Sequence, residues 1–313
     1  MAKLMKEVFV DGVAEYMRKD EKIVWLDADL AKCIGSGKLY KEFPNRTFDV
    51  GIAEANMAGI SAGLSAYGYK PIITSFAPFA TRRIADQIMI SIAYSGQNVV
   101  IVGTDPGICA ELNGGTHMPL EDVGTLRSIP NLTIYEPTDI VELEAILPEI
   151  MQFKGVTYVR LNRKTPPIVY EGRETQFGLK KADVMVEGKD VTIVANGIMV
   201  STALEVAEEL KKDNIEAEVV CCHTVKPIDV DTIVNSAKKT GAVVTCENHN
   251  VMGALRSAVC EILCENYPVP VESIGIKEKF GEVGKMPYLR KQYSMENVDV
   301  VNAVKKVIGR KVK

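Results

Sequence analysis

Residues 98–104 read N-V-V-I-V-G-T, with four β-branched apolar residues in an unbroken row. A strand with one face in water would alternate polar and apolar residues, and this run does not alternate. A short, wholly apolar run is typical of a strand buried on both faces, as in a parallel sheet covered by helices. The stretch therefore predicts an α/β fold with a largely parallel sheet.

Comparable apolar runs, separated by helical patterns, lie on both sides of this strand. We expect further strands in the first half of the chain at residues 23–27, 71–76, 132–135 and 156–161. Helical patterns fall at residues 52–66 and 79–94, and Thr138 has the side chain of an N-cap for a helix running to about residue 150. This alternation is typical of a doubly covered α/β sheet.

The pattern lapses around residues 165–189, where prolines, glycines and charges replace the apolar periodicity, with one strand possible near 182–186. A second alternation follows, with strands predicted at 191–195, 217–221, 242–246 and 269–274 and helices between them. We predict two α/β domains, each with a largely parallel sheet: residues 1–170, a linker at 171–189, and residues 190–313.

Composition excludes several classes of protein. The 313 residues carry a net charge of −4, which gives no electrostatic reason to expect binding to nucleic acid or an anionic membrane. No apolar run approaches the roughly 20 residues of a membrane-spanning helix, and no signal peptide is visible. The 7 cysteines and 3 histidines show no zinc-binding spacing, so we expect reduced thiols and a cytoplasmic location.

Residues 50–59, V-G-I-A-E-A-N-M-A-G, place the carboxylate of Glu54 among apolar and very small residues at a strand-to-helix turn. Burying an unpaired carboxylate is costly, so Glu54 should hold a partner or a proton. The alternative is an ordinary acidic residue in a first helical turn, favoured by the helix dipole.

Three other segments carry candidate chemistry. His117 ends N-G-G-T-H, where two glycines let the backbone approach a ligand. Phe76 and Phe79, in T-S-F-A-P-F-A-T-R-R, fall at a strand end, where open α/β sheets bind ligands. Arg160 and Arg163, in V-R-L-N-R-K, offer guanidinium groups suited to phosphate or sulfonate. Core packing, a surface histidine and a solvated linker are the corresponding structural alternatives.

A phosphate cradle is missing from the sequence. It contains neither a P-loop nor a G-x-G-x-x-G after a strand, and no Gly-Asp-Gly.

Together these segments resemble the C-terminal half of transketolases, and more narrowly the C-terminal subunit of the split form encoded by two genes. The resemblance covers nearly the whole chain. It rests on the order of F-D-V-G-I-A-E-A-N-M-A-G-I-S-A-G-L, F-A-P-F-A-T-R-R-I-A-D-Q-I and G-G-T-H-M-P-L-E-D-V-G-T-L-R-S-I-P-N. It implies that the first domain binds the aminopyrimidine of thiamine diphosphate and that the second is a transketolase C-terminal domain.

The resemblance also implies roles for individual residues. Glu54 would donate a hydrogen bond to a pyrimidine nitrogen, which requires a proton held at neutral pH, and Phe79 would stack on that ring. Phe76, Arg82 and Asp29 would lie close to the cofactor. His117 would bind hydroxyls of the transferred two-carbon unit, and Arg163 would bind the sugar phosphate.

The missing phosphate cradle fits the same family. Its members hold the cofactor's diphosphate through Mg²⁺ with a Gly-Asp-Gly motif in an N-terminal domain. The resemblance therefore implies a partner subunit that carries this motif, an α2β2 heterotetramer, and no activity for this chain alone. Small residues on the helix after Glu54 (Ala58, Gly59, Ala62 and Gly63) would allow close packing at the interface.

The substrate pocket departs from the family pattern. Asn113 stands where many transketolases have an acidic residue, and Asp105 stands near the place of a phosphate-binding histidine. Lys6 and Cys33 replace, less securely, an arginine and a serine. An anion at 105 would repel a phosphate, so we expect a ketose other than the usual pentose phosphates, such as a branched, sulfonated or unphosphorylated sugar.

Three competing interpretations remain at this point. One is an enzyme resembling 1-deoxyxylulose-5-phosphate synthase, and another is the β subunit of a 2-oxo acid dehydrogenase. The third is a non-enzymatic scaffold subunit. His223 and His249, in the second domain, have no acidic or nucleophilic partner that the sequence reveals, so we expect that domain to be structural.

Overall fold

The computed structural model describes residues 3–173, 175 and 177–311. Predictions that fall on residues 1, 2, 174, 176, 312 and 313, at the chain ends and within the linker, lie outside the described residues. In the described part the chain forms two α/β units, each built on one mostly parallel sheet, as predicted.

The first sheet has seven strands in the described residues. They are β1 (Ile23–Asp27), β2 (Thr47–Asp49), β3 (Lys70–Phe76), β4 (Val100–Thr104), β5 (Leu132–Tyr135), β6 (Val156–Leu161) and, later in the chain, β10 (Thr224–Lys226). Their order across the sheet is β10-β5-β6-β4-β3-β1-β2. Neighbours are parallel, except that β10 is antiparallel to β5. Strand β4 lies at the centre and is buried throughout, as the apolar run predicts.

Helices cover both faces of this sheet. They are α1 (Met5–Lys19), α2 (Ala31–Ile34), α3 (Gly37–Glu42), α4 (Glu54–Ala66), α5 (Ala77–Ala80), α6 (Asp122–Arg127) and α7 (Ile140–Gln152), with 3-10 turns at Arg82–Ile84 and Gly107–Asn113 and a π-helix at Gln87–Tyr94. One core packs α1 and α7 against the sheet, and another packs α4 and the π-helix against the opposite face.

The second unit has five strands in the described residues. They are β7 (Asp183–Val186), β8 (Val191–Ala195), β9 (Ala217–Cys221), β11 (Val243–Asn250) and β12 (Val271–Ile276). Their order is β12-β11-β8-β9-β7, with only β7 antiparallel. The helices are α8 (Met199–Leu210), α9 (Val230–Thr240), α10 (Leu255–Asn266), α11 (Met286–Gln292) and α12 (Asn297–Ile308), with a 3-10 turn at Lys211–Asp213. None of the described helices is long and apolar enough to cross a membrane.

The predicted helix at 79–94 is wrong in detail. The chain forms a single helical turn at Ala77–Ala80, a 3-10 turn at Arg82–Ile84 and the π-helix, with a break at Thr81 (φ −129°, ψ −88°). The N-cap of α7 is Asp139 rather than Thr138, because the Asp139 carboxylate accepts a hydrogen bond from the Glu142 N–H at 3.0 Å.

A buried charge cluster joins the two units. The Arg160 guanidinium donates to both oxygens of Asp122 at 2.8 and 3.1 Å, to Glu136 at 2.9 Å, and to the Asn248 carbonyl of the second unit at 2.8 Å. Burial alone would raise the pKa of Asp122, but the guanidinium keeps it below its usual range. Asn196, also in the second unit, donates to Glu136 at 2.9 Å. Arg160 is fully buried and is therefore not available to a substrate anion, contrary to the sequence interpretation.

A second buried cluster brings together Glu142 of α7 with Cys221 and His223 of the second unit. His223 Nε2 donates to the Gly178 carbonyl at 3.0 Å, which leaves its Nδ1 facing Glu142 Oε1 at 3.7 Å. Burial raises the pKa of Glu142 to about 8 and lowers that of His223, which favours a protonated carboxyl beside a neutral imidazole ring. Burial also holds the pKa of the Cys221 thiol well above its usual range, so the thiol is protonated at neutral pH.

Glu142→Gln should remove a pH dependence of stability. The native state keeps the Glu142 proton up to about pH 8, whereas the unfolded carboxyl loses it above its ordinary value of 4.5. Wild-type stability therefore falls as pH rises from 5 to 8, by about 1.4 kcal/mol per unit for one proton. As pH rises from 5 to 8, the free energy of unfolding of the variant should increase by about 3 kcal/mol relative to that of wild type, measured by urea unfolding.

The matched control is Glu144→Gln, because Glu144 lies exposed on the same helix. The difference in free energy of unfolding between Glu144→Gln and wild type should not change with pH. A Glu142→Gln variant that tracks wild type at every pH would show that Glu142 is ionised in the folded protein.

Candidate active site

The candidate residues lie at the carboxyl edge of the first sheet. Phe76 ends β3, and Asp105, Arg163 and Asp29 follow β4, β6 and β1 within two residues. Glu54 opens α4, which follows the turn after β2. The carboxyl ends of parallel strands form the ligand-binding edge of open α/β sheets, so residues far apart in sequence meet there.

Glu54 is buried and paired. The Arg83 Nη1 donates to Glu54 Oε1 at 2.7 Å, and the Arg83 guanidinium carbon lies 3.9 Å from the centre of the Phe79 ring. The Glu54 side chain is 4% exposed and that of Arg83 is 43% exposed, so the pair opens to solvent on one side only. The surround of Glu54 is therefore not wholly apolar, as the sequence suggested, but includes a cation that stabilises the carboxylate.

Three aromatic rings, those of Phe76, Phe79 and His117, pack together next to the Glu54–Arg83 pair. His117 meets the edges of Phe79 and Phe76, with ring centres 5.1 and 5.6 Å away, and the two phenylalanines are 6.2 Å apart. Thr116 Oγ1 hydrogen-bonds His117 Nδ1 at 2.8 Å, which leaves Nε2 as the ring nitrogen for another partner.

Arg163 continues the same row of contacts. Its guanidinium carbon lies 5.1 Å from the centre of the Phe76 ring, and Nη2 pairs with Asp105 Oδ2. Asp105 is 4% exposed, and both residues line a cavity of about 250 Å³. An unbroken chain of contacts thus runs from Glu54 through the rings to Asp105.

Three predicted site residues lie outside this chain of contacts. Arg82 donates to Glu121 at 2.7 Å and to the Thr116 carbonyl at 3.3 Å, beside His117 but not against Glu54. Asn113 is exposed on the wall of the 250 Å³ cavity. Asp29 is also exposed.

Asp29 is nevertheless tied to the turn before Glu54. Its N–H donates to Asp49 Oδ1 at 3.0 Å, and the same oxygen accepts from the Gly51 N–H at 2.8 Å. Gly51 has a φ of +72°, which a glycine adopts without strain.

Sequence reasoning missed two residues. Arg83 stands in the quoted motif beside Arg82, and only the geometry separates the neighbour that reaches Glu54 from the one that does not. Asn248 belongs to the second unit, and its side chain accepts from the Ile108 N–H at 2.9 Å and donates to the Pro106 carbonyl at 3.0 Å. It holds the turn that follows Asp105.

The turn at Gly107 depends on this contact. Gly107 has a φ of +54°, and a Cβ there would lie 2.2 Å from Asn248 Oδ1, so no side chain fits. His249 Nδ1 donates to the Asn250 carbonyl at 2.7 Å and Nε2 accepts from the Gly124 N–H at 3.3 Å, so Asp122 Oδ1, 3.6 Å from Nε2, faces a ring nitrogen that carries no proton. Burial lowers the pKa of His249 to about 4, so the ring is neutral and structural. The second unit therefore supports the candidate site through the turn that follows Asp105.

The arrangement fits an aminopyrimidine ring. Glu54 offers a carboxyl group at the first turn of a helix, and Phe79 is a half-buried aromatic ring that contacts the same Arg83 guanidinium. Aromatic faces stack on flat heterocycles, and a carboxyl group hydrogen-bonds a ring nitrogen. The cavity beyond Phe76 offers cations and hydrogen-bonding groups to an anionic substrate.

Two family models match the chain in this order. Residues 2–167 match the model described as transketolase, pyrimidine binding domain, and residues 180–300 match transketolase, C-terminal domain. The chain belongs to the transketolase family.

Relatives of similar length include proteins named as transketolase subunits. The chain is 48% identical over 98% of its length to the 6-deoxy-6-sulfo-D-fructose transketolase subunit of Clostridium sp. (strain MSTE9), of which it covers 95%. It is 35% identical to an apulose-4-phosphate transketolase subunit of Phocaeicola vulgatus, covering 88% of each chain. A solved structure titled split gene transketolase, inactive beta4 tetramer, matches with 39% identity and a TM-score of 0.90 over the whole of both chains.

Proposed function

We propose that this chain is the C-terminal subunit of a transketolase that moves a two-carbon ketol unit from an anionic ketose to an aldose, with thiamine diphosphate as cofactor. The observation that supports the proposal is the row of contacts from Glu54 to Asp105, along which a ring site for the cofactor would adjoin a site for the substrate anion. The family match supports the dependence on thiamine diphosphate.

Each residue has a stated role in this proposal. Glu54 shares a proton with a pyrimidine nitrogen through a hydrogen bond, and Arg83 balances the charge of Glu54 when that proton lies on the ring, while Phe79 supports the ring face. The cofactor, when bound, supplies the electron sink for breaking the carbon–carbon bond. His117 hydrogen-bonds the hydroxyls of the two-carbon unit through its free ring nitrogen.

The arginines and the anion site complete the assignment. Arg83 orients Glu54 through their 2.7 Å contact, and Arg82 and Asp29 border the cofactor. Arg163, Asp105 and Asn113 contact the far end of the sugar. A sulfonated ketose is the proposed donor, because the relative that is 48% identical is named for such a substrate.

The proposed partner is an N-terminal transketolase subunit with a Gly-Asp-Gly motif that holds Mg²⁺ and the diphosphate, in an α2β2 heterotetramer. Exposed apolar side chains on α4, on the residues flanking it and on the π-helix support this arrangement, because exposed apolar surface marks interaction sites. The side chains of this exposed face are Ile52, Ile60, Tyr67, Met89, Ile90 and Tyr94.

The small residues of α4 divide between this face and the core. Gly59 and Gly63 are exposed, and a Cβ on either would meet nothing within 4 Å, so a partner can approach closely. Ala58 is fully buried in the chain's own core and does not face a partner. The seven free cysteines support a reducing, cytoplasmic location.

Reconstitution tests the proposal. The purified chain with thiamine diphosphate and Mg²⁺ should show no ketol transfer, in line with the inactive β4 tetramer of the 39% identical relative. Adding the Gly-Asp-Gly subunit should produce transfer of the ketol unit from 6-deoxy-6-sulfofructose to glycolaldehyde, measured by product analysis. The transfer should require both the partner subunit and thiamine diphosphate. The partner subunit alone is the control.

Two outcomes contradict the proposal. Full thiamine-dependent activity of the isolated chain would remove the need for a partner. Decarboxylation of pyruvate by the complex, without ketol transfer, would favour the synthase or 2-oxo acid dehydrogenase alternatives, and inactivity with every donor would favour a scaffold.

A further inference from the structure

The cavity beside the rings has an unusual balance of charge. Its walls carry three cations, Lys6, Arg163 and Lys164, and two carboxylates, Asp105 and Glu111. Arg163 pairs with Asp105, and Lys164 pairs with Glu111. The cavity therefore has a net charge of +1, although three cations surround it.

Lys6 supplies the unbalanced charge. Its Nζ donates to the Cys33 carbonyl at 2.8 Å, and no carboxylate lies within ion-pair distance of it among residues 3–173, 175 and 177–311. It comes from α1 and lines the same cavity as Arg163 and Lys164.

Asp105 is fixed in this position by its backbone. It has a φ of +56°, its N–H donates to the Leu161 carbonyl at 3.1 Å, and the next turn is held by Asn248. These contacts fix the direction in which the Asp105 side chain leaves the backbone, and its carboxylate pairs with Arg163 Nη2. Arg163 is itself held over the Phe76 ring.

We propose that Asp105 is a specificity-determining residue. It makes this site select a donor whose far end carries one negative charge, such as a sulfonate. A donor whose far end carries two negative charges, such as a phosphate monoester, is disfavoured. This inference rests on the proposed function and names the charge class of the substrate.

The physical reason is charge matching. A sulfonate keeps a single charge across the working pH range and neutralises the net charge of the cavity. A phosphate monoester carries about −1.5 to −2 at pH 7, so its second charge faces the Asp105 carboxylate with no cation left to balance it. Like charges a few ångströms apart in a half-buried site repel strongly.

Asp105→Asn tests this inference in the reconstituted complex. Asparagine has nearly the same shape and tolerates a positive φ, so the backbone contacts should persist. The readout is the ratio of kcat/KM for 6-deoxy-6-sulfofructose to that for fructose 6-phosphate, with uncharged glycolaldehyde as the acceptor for both. The variant should lower this ratio by about tenfold or more, mainly because kcat/KM for fructose 6-phosphate rises.

The control is Glu216→Gln, which removes one charge from an exposed pair with Lys189 in the second unit. It should leave the ratio unchanged. An Asp105→Asn complex with the wild-type melting temperature and an unchanged ratio overturns the inference, as does an equal shift in Glu216→Gln.

A wild-type complex that prefers fructose 6-phosphate overturns the inference while leaving the transketolase assignment intact. A wild-type complex that transfers no ketol group from either donor instead contradicts the proposed function. If Asp105→Asn fails to assemble, Asp105→Ser, which also removes the charge, replaces it and should give the same change in ratio.

Discussion

Glu54→Gln should lower kcat for ketol transfer by about 10²–10⁴-fold in the reconstituted complex, because the amide cannot exchange a proton with the cofactor ring. The side chain keeps its size and can still accept a hydrogen bond from Arg83. We therefore expect the assembly to form normally by size-exclusion chromatography, with activity measured at saturating thiamine diphosphate.

The matched control is Glu261→Gln. Glu261 also pairs with an arginine, Arg127, but lies at the surface and away from the cavity, so this change should leave kcat within twofold of wild type, roughly the range of neutral surface changes. Glu54→Gln activity within tenfold of wild type would remove Glu54 from the mechanism.

Arg160→Met should destabilise the chain by about 3–5 kcal/mol, because it leaves Asp122 and Glu136 buried without a compensating charge. The change also removes the hydrogen bond to the Asn248 carbonyl, which ties the two units together. Urea unfolding at neutral pH, at fixed protein concentration, measures the loss.

Arg18→Met is the comparison variant. Arg18 pairs with Glu15 and Glu42 at the surface, where an ion pair contributes about 0–1 kcal/mol, so its loss should be small. If the two variants were equally stable, the buried cluster would not be holding the units together.

Much of the fold could be predicted from local patterns. The apolar runs that became β1, β3, β4, β5 and β6 are long enough to be recognised, because strands covered on both faces need uninterrupted apolar side chains. The parallel order places their carboxyl ends together, which is why the sequence predicts a ligand site at Phe76 and Phe79, whereas the family resemblance joins Glu54 and Asp105 to that site.

Contacts between distant segments could not be predicted. Strand β10 has only three residues and pairs with β5 of the other unit, so no local periodicity marks it. His223 lies beside Glu142, and His249 lies beside Asp122. Each pair is separated by roughly a hundred positions and spans the boundary between the units. The break at Thr81 also depends on packing rather than on local composition.

The grip of Asn248 on the turn after Asp105 has a consequence for how this enzyme can be divided. A cut between the two units would release the loop that carries the proposed anion site and would expose the charges around Arg160. The proposed diphosphate-binding partner would meet this chain at the exposed face of α4 and the π-helix, so it can be a separate polypeptide. The two units of this chain share buried contacts, so we expect them to be expressed as one polypeptide.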